Sequence, residues 1–423
     1  MKIAKLKKII NNHTTIFKNF TYISILEIFI LISPLITYPY LVRTLGSELY
    51  GLVITAQVIA SYAAIVVNFG FRRIGAKDIS IYRTNREKLS ETLSTIFTIR
   101  FILWCLSLAI YLLVIKFVPI YNEHFFLFLF SFGITLNDLL FPQFFFQGIE
   151  KMKFITFINI GITTLFIILV FTFIKDETDY YLVPLLKTVE YFLAGIISLF
   201  IIFFKEKLWF TFPTRKTITY HIKEALPIFS TEIISTIKDK FSYILLGSFV
   251  GMQEVVIYDL GSKFTTVLVK PASILSTVLF PKIANERNIN LSIKVSLFLS
   301  ICMILLIFLF NIILPYVVPF FLPEAIDLLP LRIFLLAPLF LSISSFLASN
   351  NIIALGYNKY ILYSIIVTTI VYVIATISSY YFNILDNILV FIIITVLAYF
   401  VELIYRIYVS RKIIKKESLK NVA

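Results

Sequence analysis

The side chains best suited to hold an anion lie inside long apolar runs of this sequence. At 100° per residue, Asp259, Lys263 and Lys270 fall on one narrow stripe of a helix. An earlier run places Asp239 on a second polar stripe, with Lys240 beside it. A charge near a bilayer midplane costs about 2.5–3.5 kcal/mol even on the most lenient scale, so such charges should face a cavity or a partner. Three lysines on adjacent segments favour an anionic ligand.

Other polar residues in apolar runs extend this candidate site. We predict seven substrate-binding residues, which are Lys240, Lys263, Lys270, Arg100, Gln57, Asn68 and Asn137. We predict four carboxylates that balance these charges or couple an ion, which are Glu27, Asp138, Asp239 and Asp259. Polar faces on several helices indicate a water-filled cavity between them.

Local ion pairing is the competing interpretation for some of these charges. Three pairs stand at the helical spacing of three or four residues, namely Lys187–Glu190, Asp259–Lys263 and Glu402–Arg406. Lys238 falls on a different side of its helix from the polar stripe, and it is left out of the site.

The apolar composition determines which elements must position these residues. Of 423 residues, 59% are hydrophobic and only 15% are charged, and the mean hydropathy is +0.94. This excludes an ordinary soluble enzyme, a disordered chain and a secreted disulfide scaffold. Long unbroken apolar runs favour an all-α polytopic membrane protein over an outer-membrane barrel. The twelve predicted spans are about 20–42, 50–70, 91–118, 125–147, 154–174, 180–204, 225–250, 255–281, 291–314, 331–355, 361–382 and 388–409.

The charge distribution predicts the topology. Nearly all loop lysines and arginines fall on one side, and the opposite segments hold only Arg43, Lys116 and Lys175. The positive-inside rule then predicts that both termini are cytoplasmic. The run from Phe20 to Val42 is too long for a signal peptide and no small-residue cleavage site follows, so we interpret it as a retained span. The predicted organisation is an N-terminal six-helix bundle (1–204), a cytoplasmic linker loop (205–224), a C-terminal six-helix bundle (225–410) and a basic cytoplasmic tail (411–423).

Motifs for enzymatic chemistry are missing from the sequence. It has neither a Gly-x4-Gly-Lys-Ser/Thr loop nor a Gly-x-Ser-x-Gly elbow. Three widely separated histidines form no metal pattern, and Cys105 and Cys302 sit in apolar runs as filling residues. We therefore predict a non-enzyme without a cofactor or a metal. The basic loops account for the net charge of +14, so we predict no nucleic-acid partner.

Several stretches carry a family resemblance. Pro39–Gly51 reads PYLVRTLGSELYG and leads into Gln57, and Asn68–Phe71 reads NFGF before a basic loop. Pro142–Met152 reads PQFFFQGIEKM. Further on, Tyr258, Lys263 and Pro281 match a Y-x-x-A-x-K…P pattern in which Gly261 replaces the common Ala. Across the whole chain these motifs resemble the Wzx-type polysaccharide flippases of the MOP superfamily, although Phe144 stands where Trp is more usual.

The resemblance implies a fold and a function. The fold is two six-helix bundles around a central polar, cationic cavity, in the bacterial inner membrane. The function is to move a polyprenyl-pyrophosphate-linked oligosaccharide from the cytoplasmic to the outer leaflet, by alternating access, for O-antigen, capsule or related polysaccharides. Implied partners are the lipid bilayer, a polysaccharide polymerase and chain-length regulator, and a coupling cation, H⁺ or Na⁺.

On that interpretation Lys240, Lys263 and Lys270 bind the phosphate groups, and Arg100 is the next candidate for this role. A multidrug-type transporter, a lipid II-type transporter of the same superfamily and a membrane glycan polymerase stay open as alternatives.

Overall fold

Every regular element is a helix in the computed structural model, which describes residues 2–286 and 289–420. Side chains are described from Lys18 to Lys415, apart from positions 281 and 286–290. The side chain of Pro281 and residues 421–423 of the predicted tail therefore lie outside the described residues. Within the described range the all-α prediction is confirmed.

The helices of the first half are mostly long. They are α1 (Lys2–Asn68), α2 (Phe71–Ile81), α3 (Arg86–Phe117), α4 (Pro119–Glu123), α5 (Phe125–Ser131), α6 (Thr135–Leu140), α7 (Gln143–Gly148), α8 (Met152–Phe173) and α9 (Leu182–Phe200). Short 3₁₀ turns cover Phe132–Ile134 and Glu177–Tyr181, and a π-helical turn over Ile201–Lys205 extends α9.

The second half continues in the same way. Its helices are α10 (Arg215–Phe249), α11 (Met252–Glu286), α12 (Ile289–Phe321), α13 (Leu329–Phe334), α14 (Ala337–Leu347), α15 (Lys359–Tyr381) and α16 (Ile388–Lys420). A π-helical turn over Ala348–Ile353 follows α14.

Ten of the described helical stretches are long and apolar enough to cross a membrane, against twelve predicted spans. The first two predicted spans are joined in one stretch, Lys18–Ile81, because the helix of α1 continues on both sides of a break at Gly46. Gly46 has φ 74° and ψ 159°, a conformation that is essentially restricted to glycine. The seventh predicted span is helical within α10, but it contains too many charged residues to be counted among the ten apolar stretches.

Two segments predicted as cytoplasmic loops are partly helical. Residues 71–81 of the predicted loop 71–90 form α2, and residues 215–224 of the predicted linker form the start of α10. The 71–81 stretch alternates buried apolar residues with exposed basic ones, which is the pattern of a surface helix.

The chain divides into two compact units. Unit 1 comprises Met1–Leu49 and Ala56–Ile233, and unit 2 comprises Tyr50–Thr55 and Ile234–Ala423. In unit 1, α2 packs against α7, and α6 and α8 pack against α9. In unit 2, α14 packs against α11, α12 and α16, and α15 packs against α16.

Candidate functional site

Arg100 is the most deeply buried of the predicted cations. It lies on α3 with 3% of its surface exposed. Its Nη1 donates to the backbone oxygen of Asp138 at 2.7 Å, and its Nη2 donates to Oδ1 of Asn68 at 2.9 Å. Among the described residues no carboxylate oxygen lies within 4.0 Å of its guanidinium, and its Nε has no acceptor. Neutral oxygens therefore make its hydrogen bonds, and the Asp138 carboxylate acts on this positive charge only from beyond ion-pairing distance.

The family-like PQFFFQG stretch explains how Arg100 is positioned. Phe141 and Pro142 end α6, because the residue before a proline avoids helical backbone angles. The following α7 buries Phe144, whose ring centroid lies 5.1 Å from the guanidinium carbon of Arg100. This distance is within the range of a cation–π contact. A Cβ on Gly148 would lie 2.5 Å from the side chain of Ile79, so α7 requires glycine there to pack on α2.

The carboxylate of Asp138 faces a different cation. Its Oδ1 accepts from Nη2 of Arg72 at 3.3 Å, while 48% of the Arg72 side chain is exposed. The neighbouring Asn137 is half-buried on α6. The sequence offered no signal for Arg72, because its partner lies 66 residues away.

Two predicted residues of α1 lie away from the cluster formed by Arg100, Asn68 and Asp138. Gln57 is half-buried and precedes Asn68 by eleven residues, which is about 16 Å along a helix. Glu27 is exposed and lies nearer the N-terminus. Their predicted roles stay predictions.

The structure confirms all three local pairs that helical spacing predicts. Nitrogen–oxygen distances are 2.7 Å for Lys187–Glu190, 2.6 Å for Asp259–Lys263 and 2.8 Å for Glu402–Arg406. The Asp259 carboxylate also accepts from the hydroxyl of Tyr243 at 3.3 Å. Lys263 is thus partly neutralised within unit 2, which weakens its case as a phosphate ligand.

Lys240 differs from Lys263 in its surroundings. It is half-buried on α10, and no carboxylate oxygen of the described residues lies within 4.0 Å of its ammonium. Lys270 is half-buried on α11, seven residues after Lys263. Asp239 accepts from the hydroxyls of Ser235 at 3.3 Å and Tyr399 at 3.4 Å.

Lys238 is buried at the centre of an ion-pair chain, although its helical position placed it away from the polar stripe. Its Nζ lies 2.8 Å from the Glu402 carboxylate and 3.5 Å from that of Asp239. The other Glu402 oxygen lies 2.8 Å from Nη1 of Arg406, which also donates to Ser344 at 3.0 Å. This chain of charges joins α10 to α16 inside unit 2. It could not be predicted, because Lys238 and Glu402 are 164 residues apart.

The described residues contain no group of three or more His, Cys, Asp or Glu that could hold a metal ion. Each unit instead holds buried or half-buried cations on apolar helices, some with carboxylate partners and some without. A cation without a close carboxylate can attract an anion through charge and hydrogen bonds.

Comparison with known proteins adds a family and two named relatives. A family model described as "Polysaccharide biosynthesis protein" matches residues 16–286. A "Putative O-antigen transporter" of Escherichia coli (strain K12) is 22% identical over 279 residues, which are 66% of this chain and 67% of that protein. A protein of the same name from Shigella dysenteriae is 22% identical over 265 residues, which are 63% of this chain and 66% of that protein.

Solved structures share the fold. An inward-facing multidrug resistance MATE family transporter of the MOP superfamily has a TM-score of 0.68 at 14% identity, over 93% of this chain and 99% of that chain. A MOP superfamily transporter from Pyrococcus furiosus, described as having a binding pocket of reverse polarity, has a TM-score of 0.60 at 16% identity, over 93% of this chain and 95% of that chain. At these identities the likeness establishes the fold.

Proposed function

Because this chain belongs to the family of polysaccharide biosynthesis proteins, we propose that it flips a polyprenyl-pyrophosphate-linked oligosaccharide from the cytoplasmic to the outer leaflet of the inner membrane. The product would feed the assembly of O-antigen, capsule or a related polysaccharide. Two relatives named as O-antigen transporters support this proposal, as do the ten helical stretches of the described residues that are long and apolar enough to span a membrane.

The buried charge of Arg100 is the observation that carries the proposal. Arg100 is 3% exposed and no carboxylate oxygen of the described side chains lies within 4.0 Å of it, which makes its burial in an apolar helix bundle costly. A bound diphosphate could offset the unfavourable free energy of burying Arg100, because guanidinium and phosphate form strong charge-assisted hydrogen bonds. A cationic drug would be repelled at the same place.

The remaining predicted residues would bind other parts of the cargo or balance charge. Lys240 would offer a positive charge to the anionic cargo within unit 2, and Lys263 and Lys270 would act there as weaker contributors. Gln57, Asn68 and Asn137 would offer amide groups to sugar hydroxyls. Asp138, Asp239, Asp259 and Glu27 would balance charge or exchange a cation, H⁺ or Na⁺, during alternating access.

The membrane potential could supply the driving force. The diphosphate carries about two negative charges, and each charge crossing the full field gains about 2.3 kcal/mol per 100 mV. Outward export would thus gain about 4–5 kcal/mol at 100 mV, which corresponds to a leaflet ratio on the order of a thousandfold. Cation antiport is then not required thermodynamically.

Reconstitution tests both the cargo and the driving force. The purified protein is placed in liposomes with a fluorescent undecaprenyl-pyrophosphate oligosaccharide, and transfer between leaflets is followed with a membrane-impermeant quencher. We expect transfer that needs the protein and accelerates when valinomycin sets a potential negative on the cytoplasmic face. Transport of a lipophilic cation without movement of the lipid-linked oligosaccharide would contradict the proposal. Transfer that ignores the potential but follows a proton or sodium gradient would assign the driving force to cation exchange.

A further inference from the structure

Unit 1 contains an apolar pocket that the predicted site does not include. It has a volume of about 260 Å³, and its wall is formed by residues of α1, α3 and α10. The α1 side includes Tyr62, Ala63 and Val66, and the α3 side includes Ser107 and Tyr111. The Tyr111 hydroxyl donates to the backbone oxygen of Phe128 at 3.0 Å, so this polar atom is already satisfied. Six of the nine lining residues are aliphatic, so the pocket is suited to a hydrocarbon group.

The same helix carries both this pocket and Arg100. Ser107, Tyr111 and Val114 follow Arg100 by 7, 11 and 14 residues, intervals that return to one face of a helix. At 1.5 Å per residue the pocket wall begins about 10 Å along α3 from Arg100. One face of α3 thus presents a buried cation followed by an apolar recess.

The pocket is not sealed from its surroundings. Ile110 lines it and is 63% exposed, and Val114, which also lines it, is exposed as well. A flexible chain could therefore enter it from the side without unfolding a helix.

We infer that this pocket holds the isoprene units nearest the phosphates of a polyprenyl chain, while Arg100 engages the diphosphate. This inference rests on the proposed function and adds to it a protein site for part of the lipid tail. An amphiphile with an anionic end and an apolar end matches the order of groups along α3. A lipophilic cation matches the pocket but not the nearby guanidinium charge.

Photo-crosslinking tests the inference on the full-length protein in nanodiscs. The probe is undecaprenyl pyrophosphate that carries a diazirine on an isoprene unit close to the phosphates. In the unmodified protein we expect labelled peptides from 59–66 of α1 and 107–114 of α3. This mapping does not depend on any variant folding, and labelling confined to other segments would overturn the inference.

Substitutions that fill the pocket supply a matched comparison. Ala63→Trp should reduce labelling at least tenfold, whereas Ala64→Trp, at the next residue and outside the lining, should leave it unchanged. On the other wall, Ser107→Phe should act like Ala63→Trp, and Ala109→Phe, at an exposed position outside the lining, should not. Retained binding of inorganic pyrophosphate shows that each variant is folded.

The possible failures are distinguishable. Unchanged labelling in Ala63→Trp and Ser107→Phe, with pyrophosphate binding retained, would overturn the pocket assignment and leave the flippase proposal standing. An unmodified protein that neither takes up the probe nor transfers the lipid-linked oligosaccharide between leaflets would overturn both. Tetraphenylphosphonium binding that Ala63→Trp abolishes, without polyprenyl labelling, would instead assign the pocket to lipophilic cations.

Discussion

Arg100 of unit 1 and the buried pair Lys238 and Arg406 of unit 2 are held in opposite ways. In unit 1, Arg100 donates to a backbone carbonyl and an amide oxygen, and no carboxylate of the described residues lies within 4.0 Å of it. In unit 2, Lys238 and Arg406 share the carboxylate of Glu402, each at 2.8 Å. A cation that is held by neutral oxygens keeps its charge available for a ligand. A cation that is paired with a carboxylate contributes mainly to the packing of its helices.

The largest effect should come from removing the shared carboxylate of unit 2. Glu402→Gln leaves Lys238 and Arg406 buried without their common partner, at 5% and 7% exposure. Breaking a buried pair from one side costs about 3–5 kcal/mol. We therefore expect the free energy of unfolding in detergent to fall by that amount. An unchanged free energy of unfolding would show that the ion-pair chain does not stabilise the fold.

The next largest effect should be on pyrophosphate affinity, and it should distinguish Arg100 from Arg406. Arg100→Gln should weaken binding of inorganic pyrophosphate about ten- to a hundredfold, because a hydrogen bond to a charged group contributes about 1.5–3 kcal/mol. Arg100→Lys should retain more affinity, although lysine cannot bind phosphate bidentately. Titration calorimetry measures both.

Arg406→Gln serves as the matched control for this pair. It should lower stability, because Glu402 loses a partner, and leave pyrophosphate affinity within about twofold. Equal losses of affinity in the Arg100 and Arg406 variants would remove the proposed distinction between the units.

A smaller effect should distinguish two lysines inside unit 2. Lys240→Gln should slow export about tenfold, and Lys240→Arg should restore part of it, because only arginine keeps the charge. Lys263→Gln should act mainly on stability, since it leaves the buried Asp259 without the ammonium that lies 2.6 Å away. Parallel export and unfolding assays test this, and the reverse pattern would return Lys263 to the binding site.

The smallest effect is expected at an exposed pair of unit 1. Lys77 and Glu224 lie 3.5 Å apart, with 54% and 43% of their side chains exposed. Pairs of this kind contribute about 0–1 kcal/mol, because water and salt screen them. Glu224→Gln should therefore change the unfolding free energy by less than about 1 kcal/mol, which sets the scale for Glu402→Gln. A loss as large as that of Glu402→Gln would show that exposure does not separate the two pairs.

Helical spacing and hydropathy determined much of this protein from sequence alone. Apolar runs of about 20 residues predicted where the membrane helices lie, because a bilayer has no water to satisfy an irregular backbone. The pairs Lys187–Glu190, Asp259–Lys263 and Glu402–Arg406 followed from the helical period, which brings residues three or four apart together. The family-like PQFFFQG stretch was also visible, although its packing function was not.

Only the tertiary structure decided which helix each charge would meet. Arg100 binds Asn68 across 32 residues, and Lys238 pairs with Glu402 across 164, so no local spacing connects them. The helical period places a side chain on a face of its own helix, but the partner on that face depends on how separate helices pack. For that reason the sequence identified the charged residues, while the fold determined that Arg100 has neutral partners and that Lys238 belongs to an ion-pair chain.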